Sequence, residues 1–189
     1  MIHIRHIRLR SVTASHTYGV DVSLSTGLNV IQADNTSGKS TTLMSIIYGL
    51  GLERALGPKL DVPLAYAMRE RIQRDPDSPY EAVLESHVVI ELLNQDGQAM
   101  TVRRDIAGTI DQKLVRTWNS SLADIEIGIG DQRDFFLHDA GAASREDGFH
   151  HHLAKFVGWE LPHVPRFDGE EGLLYIETLF PMFFVEQKR

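Results

Sequence analysis

Cysteine is absent from the 189 residues, and with it go disulfides, thiolate zinc sites and cysteine nucleophiles. A reducing, cytosolic setting fits that absence. No apolar run approaches the ~18 residues that a membrane-spanning helix needs, so no membrane partner is expected. The start, Met1-Ile2-His3-Ile4-Arg5, lacks the apolar core and small-residue cleavage site of a signal peptide. Basic charge is scarce: 19 Lys and Arg stand against 26 Asp and Glu, a net charge of −7. A chain of that sign is a poor general coat for nucleic-acid phosphate, although a local basic patch stays open. Internal repeats and low-complexity tracts are missing, as are a G-x-S-x-G nucleophile elbow and a defensible carboxylate pair. What is present is ordinary, 42% hydrophobic and 24% charged residues. That balance excludes a disordered, collagen-like or coiled-coil chain and fits one domain, or one lobe of a larger one.

The N-terminus alternates, with Ile2 and Ile4, then Ile7 and Leu9, facing one way and His3, Arg5, Arg8 and Arg10 between them. The pattern predicts a half-buried strand with a slip near His6. Residues Val20 to Leu24 predict a second strand, and Leu28 to Ile31 a short third one. Helical spacing of Leu43, Ile46, Ile47 and Leu50 follows, with Gly51 as terminator. The proline-bearing stretch from Gly57 to Pro79 predicts a loop with one short helix around Leu64–Gln73. A hairpin is expected over Ala82–Leu93 and Ala99–Ile106, turning at Asn94-Gln95-Asp96-Gly97. Ile110–Trp118 extends the meander, and Gly128–Asp139 carries no clear pattern. Phe149–Val157 predicts a helix. Glu170–Phe184 predicts another, ending before Pro181, with a short strand beyond it.

Residues Ala33–Ser40 fall one position short of the phosphate-loop pattern G-x-x-x-x-G-K-S/T, and each part has a physical task. Asn35, Thr36, Ser37 and Gly38 must curl so that backbone N–H groups face an anion. Lys39 brings a mobile cation to the β- and γ-phosphates. Ser40 offers a hydroxyl to Mg2+, and Thr41 continues the helix whose N-terminus faces the same charge. Ala33 replaces the first glycine. If that position required a positive φ, alanine would cost about 1 kcal/mol. A strand, the loop and an amphipathic helix are the setting the motif needs.

The run "GLNVIQADNTSGKSTTLMSIIYGLG" resembles the head domains of SMC and double-strand-break-repair ATPases, whose loop reads G-x-N-x-I-x-G-x-N-x-x-G-K-S-T. Gly27, Asn29, Ile31, Asn35, Gly38, Lys39, Ser40 and Thr41 match; Ala33 does not. "LFPMFFVEQKR" resembles the Q-loop region of such heads, with Gln187 at the expected place, and the hairpin Ala82–Ile106 matches their β meander. Arg145–Val185 is reminiscent of SMC-like proteins of bacterial anti-phage systems.

The resemblance implies an α/β P-loop NTPase fold, an ABC-type head lobe with an antiparallel meander and a mixed sheet around the loop helix. Residues 1–189 would be the N-terminal half of such a head, cut before the coiled coil. The C-terminal half would carry the signature, the Walker B acid and the catalytic glutamate, none of which is found here. Val88-Val89-Ile90-Glu91 ends in one acid, but the hairpin accounts for it better. ATP and Mg2+ are the implied cofactors. Lys39 and Gln187 are the implied catalytic groups, Ser40 and Gln187 the metal-facing ones. Arg10, Ser11 and Thr13, just after the first strand, are implied near the base and α-phosphate. The implied partners are the C-terminal half, a second head in a homodimer, double-stranded DNA and an accessory nuclease or effector, at the nucleoid. On this reading the half-head alone hydrolyses little.

His150-His151-His152 invite a metal reading, but consecutive helical residues point about 100° apart, so an exposed helix surface is expected instead. Arg103 and Arg104, with Lys113 and Arg116, are expected as surface charge, with contact to DNA phosphate as the alternative. Two rivals to the ATPase half-head stand open. One is a self-contained P-loop kinase or GTPase, although no N-K-x-D motif occurs. The other is a non-hydrolysing module in which ATP holds an assembly together, for which Ala33 is the hint.

Overall fold

The computed structural model describes residues 2–35, 37–56, 62–137 and 146–179. Its centre is a six-stranded antiparallel sheet in the order β2-β1-β5-β6-β7-β8, made of β1 (His3–Val12), β2 (Thr17–Ser23), β5 (Glu85–Leu93), β6 (Ala99–Ala107), β7 (Leu114–Trp118) and β8 (Gln132–Phe136). The expected slip in β1 is present, as the register against β5 shifts between Ile4 and His6. Two small hairpins, β3 (Arg71–Gln73) with β4 (Tyr80–Ala82) and β9 (His163–Pro165) with β10 (Glu171–Leu173), lie outside the main sheet. The described residues are thus α/β with antiparallel ladders, and the expected mixed sheet is not formed among them. One isolated parallel bridge, Phe136 to Gly148, stands outside the ladders. Short turns join β5 to β6 and β6 to β7, a connection that makes antiparallel neighbours, and the longer link from β7 to β8 carries α3.

Period-two patterning decides which sheet face is core. Leu9, Val88, Ile90, Leu92, Met100, Val102, Ile106, Val115 and Phe135 are buried in one cluster. Against them pack Ile47 and Tyr48 of α1 (Lys39–Gly49) and Phe149, Leu153, Ala154 and Val157 of α4 (Phe149–Val157). α4 buries positions four and eight residues apart, one helical face. α1 differs from its expected face: Leu43 is 48% exposed, and its buried positions are Thr42, Ser45, Ile47, Tyr48 and Gly49.

The end of α1 follows helix-terminus chemistry. Gly51 takes φ +68°, its N–H reaches Tyr48 O at 3.0 Å, and Leu52 N–H reaches Ile47 O at 2.8 Å. This Schellman closure satisfies two orphan carbonyls and needs a left-handed residue, which glycine supplies without strain. α2 (Tyr66–Arg69) is shorter than the helix expected around Leu64–Gln73, whose last residues instead form β3. α3 (Leu122–Glu126) is capped by Ser121, whose hydroxyl accepts from Asp124 N–H at 3.2 Å.

Two further expectations change. Leu28 to Ile31 is not a strand: Leu28 is 90% and Val30 79% exposed, and no described strand lies beside them to complete a ladder. Asn29 shapes the segment instead, donating to Ser25 O and Gly27 O at 2.8 and 3.1 Å and accepting from Ser25 N–H at 2.9 Å. In the C-terminal stretch the expected helix before Pro181 is shorter than Glu170 onward, formed as α5 (Ile176–Leu179) with β10 ahead of it. The expected strand past Pro181 lies outside the described residues. Gly128–Asp139, without a pattern in sequence, contains β8.

Candidate functional site

α1 begins without the usual compensations. Its N-cap, Gly38, sits at φ 87° with no side chain to cap the helix, and no acid occupies the first turn. Thr42 N–H and Oγ1 both donate to Gly38 O, at 2.9 and 3.1 Å. The N–H groups of the first three helical residues therefore have no intrahelical acceptor, and no acid of the first turn faces the positive end of the helix dipole. Gly38 matters twice here. Its left-handed backbone turns the chain into the helix, and an added Cβ would meet nothing within 4 Å, so the mouth is open.

The loop ahead of the helix closes on the lysine. Lys39 Nζ donates to Ala33 O and Asp34 O, at 2.6 Å each, and Ser37 N–H returns to Asp34 O at 3.3 Å. The ammonium is held over the loop's own carbonyls, which are weak partners compared with an anion. A pocket of about 310 Å³ results, lined by Asn35, Ser37, Gly38, Lys39, Ser40, Thr41 and Ala65. These side chains and backbone groups suit a phosphate chain: open amides, one mobile cation, and a hydroxyl at Ser40 for a phosphate-bound Mg2+. Among the described residues no group of three or more His, Asp or Glu could hold a metal ion without such a ligand. Thr36 and Gln187 lie outside the described residues.

Arg10, Ser11 and Thr13 do not line that pocket. Ser11 is buried and donates to Ala67 O of α2 at 2.8 Å. Since Ala65, the N-cap of α2, lines the pocket, the end of β1 reaches the loop's surroundings through α2. Thr13 is buried too and hydrogen bonds Glu81, which also accepts from Ser15 at 2.6 Å. Arg10 bonds Asp21 on β2 and Leu9 O. Ala65 is a pocket residue that sequence reasoning had no way to find; nothing in its neighbours marks it, and only the packing of α2 brings it there.

The arginines expected as surface charge divide by strand face. Arg104 is 3% exposed on the core face. Its Nη1 donates to Tyr48 O and Glu53 Oε1, at 2.5 Å each, and its Nε to Gln112 O at 2.7 Å. The guanidinium lies 3.9 Å from the Tyr48 ring centroid. Burial pushes the Tyr48 hydroxyl up to about 12, and it donates to Asp105 O at 2.7 Å. Arg104 is therefore an anchor for the C-terminal end of α1, not a surface charge.

Arg103 belongs to the opposite face, bonded to Asp105 at 2.7 Å, with Arg116 4.0 Å from the same carboxylate. Arg8 pairs with Asp21 and Glu126, at 2.5 Å each. Burial acts against the Asp21 carboxylate, but Arg8, Arg10 and His6 together hold it well below the usual range. In the middle of this face His87 is pushed down to about 4, by burial first and then by the charge of Arg103. Cations and acids alternate here, so the face is a paired network.

The three histidines also depart from expectation. His150 is buried, with Nε2–H donating to Leu50 O at 3.0 Å and Nδ1 3.5 Å from Glu177. His152 stacks on Phe135, ring centroids 4.3 Å apart. With His150 bonded to Leu50 O and His152 stacked on Phe135, more of the circumference of α4 is covered than a surface helix would have. No protein-family model, curated protein or solved structure matches this chain.

Proposed function

We propose that this chain is the ATP-binding N-terminal half of an SMC-like ATPase head, holding MgATP at Asn35–Thr41. The observation that carries the reading is the start of α1, uncapped and free of acids, with Lys39 drawn over a pocket lined by the motif residues. In this reading the open amides and Lys39 bind the triphosphate, and Ser40 faces its Mg2+. Lys39 exchanges two neutral carbonyl partners for phosphate oxygens, an exchange favoured by charge. Bound MgATP supplies a phosphoryl group for transfer to water, a reaction in which positioning and charge stabilisation dominate. Gln187 is assigned to the water and metal side of the site on the resemblance alone.

Leu28 and Val30 support the half-head reading, since an apolar pair beside the loop lies uncovered. The second half of the head is the layer we assign to it. Hydrolysis then needs that half and a second head in a homodimer, and head engagement is coupled to clamping of double-stranded DNA, in repair, chromosome organisation or defence.

The test is calorimetric titration of MgATP into the wild-type chain and Lys39→Ala, followed by turnover with and without a C-terminal half. Loss of the lysine's charge-assisted bonds should weaken binding about tenfold or more. Turnover should appear only on mixing. Undiminished affinity in Lys39→Ala ends the phosphate-loop reading. Brisk turnover by the chain alone replaces it with a kinase or GTPase, and binding that never leads to turnover with a structural ATP.

A further inference from the structure

A second cavity, of about 450 Å³, lies between the β5–β6 turn, the end of β7 and the C-terminal half of α4, lined by Gln98, Ala99, Asn119, His152 and Phe156. It shares no lining residue with the phosphate-loop pocket. Its size lies in the range of small-molecule sites. We propose that it binds a neutral purine ring of the adenine class, clasped by the carboxamides of Gln98 and Asn119 against the rings of Phe156 and His152.

Three features select that chemistry. None of the five lining residues carries a fixed charge, and burial, with Arg133 and Lys155 nearby, shifts His152 toward its neutral form. The five lining residues therefore offer a charged ligand no direct ion pair. Two aromatic rings line the cavity, and His152 is already held in a stack with Phe135 at an interplanar angle of 15°, which suits a flat partner. Finally, the Asn119 carboxamide presents a donor beside an acceptor, the arrangement that pairs with N6 and N7 of adenine, and Gln98 adds a second donor.

One wall is preorganised. Asn94 is buried and spends its whole carboxamide locally. Its Oδ1 accepts from Asp96 N–H and Gln98 N–H at 3.0 and 2.9 Å, and its Nδ2 donates to Gln98 Oε1 at 2.9 Å and Phe156 O at 3.1 Å. Asn94 thus fixes the turn, ties it to α4 and orients the Gln98 carboxamide, leaving Gln98 Nε2 for a ligand.

The test is calorimetry and saturation-transfer NMR on the whole chain with adenine and with N6,N6-dimethyladenine. Adenine should bind saturably. The dimethyl analogue, which has lost both N6 donors, should bind about tenfold more weakly, as should adenine to Gln98→Ala and Asn119→Ala. Both side chains are exposed, so these truncations spare the core. Saturating inorganic triphosphate should leave adenine affinity unchanged, which separates this cavity from the phosphate loop. Absence of adenine binding, equal binding of the two purines, indifference to both truncations, or competition by triphosphate would each overturn the proposal.

Discussion

Replacing Glu53 by Gln tests the most deeply buried charge pair in the described core. The side chains of Arg104 and Glu53 are 4% and 3% exposed, so water screens neither. Glu53→Gln keeps the shape and one acceptor but removes the counter-charge. The guanidinium still donates to Tyr48 O and Gln112 O and still faces the Tyr48 ring, none of which neutralises it. Breaking such a pair from one side costs about 3 to 5 kcal/mol. With a urea m-value of about 2 kcal/mol/M, the unfolding midpoint should fall by about 2 M. Arg104→Met alone should also be costly, because the buried Glu53 carboxylate loses its guanidinium. In the double variant no lone charge remains, so the cycle should show a coupling of about 2 to 3 kcal/mol. The assay is urea unfolding of the four proteins followed by tryptophan fluorescence and circular dichroism. A loss below about 1 kcal/mol for Glu53→Gln, or plain additivity in the cycle, would refute the claim that this pair anchors the loop helix.

Two further outcomes follow from groups away from the pocket. His87 has its folded value depressed from 6.5 to about 4, so its stabilising contribution is present above pH 6.5 and is lost as pH falls toward 4. Urea midpoints measured across that window should decline, and His87→Asn should flatten the decline; an equally steep profile in the variant would assign the effect elsewhere. Gly51→Ala forces alanine to φ +68° and sets its Cβ 2.4 Å from Leu137 Cδ2. The combined strain should cost about 2 to 4 kcal/mol, and a melting temperature within a degree of wild type would show that the helix end tolerates a side chain.

The elements that could be read from sequence are those whose pattern is local. β1 with its slip, the hairpin around Asn94–Gly97 and α4 all appear where periodicity and turn chemistry put them. Such signals need no knowledge of neighbours: alternation specifies a two-sided strand, and Gly158 stops a helix because its left-handed backbone is cheap. The misreadings share one cause. Leu28 to Ile31 has strand composition but no described strand beside it, and composition cannot supply a neighbour. Leu43 has helical spacing yet points away from the sheet, because the buried side of α1 is set by where β5 and β6 run. Arg104 and His150 read as surface residues, since a lone Arg or His in a polar stretch carries no mark of burial.

The chain of Asn35 to Thr41, with an uncapped, acid-free helix start and a lysine in reach of its own loop, was written in consecutive residues, because backbone geometry and a helix dipole act over one turn. Which residues share that pocket, which arginine becomes an anchor and which histidine goes inside were settled only when distant strands and helices met. Burial and pairing depend on groups brought from fifty or a hundred positions away, as Arg104 with Tyr48 and His150 with Leu50 illustrate, and no local pattern encodes that meeting.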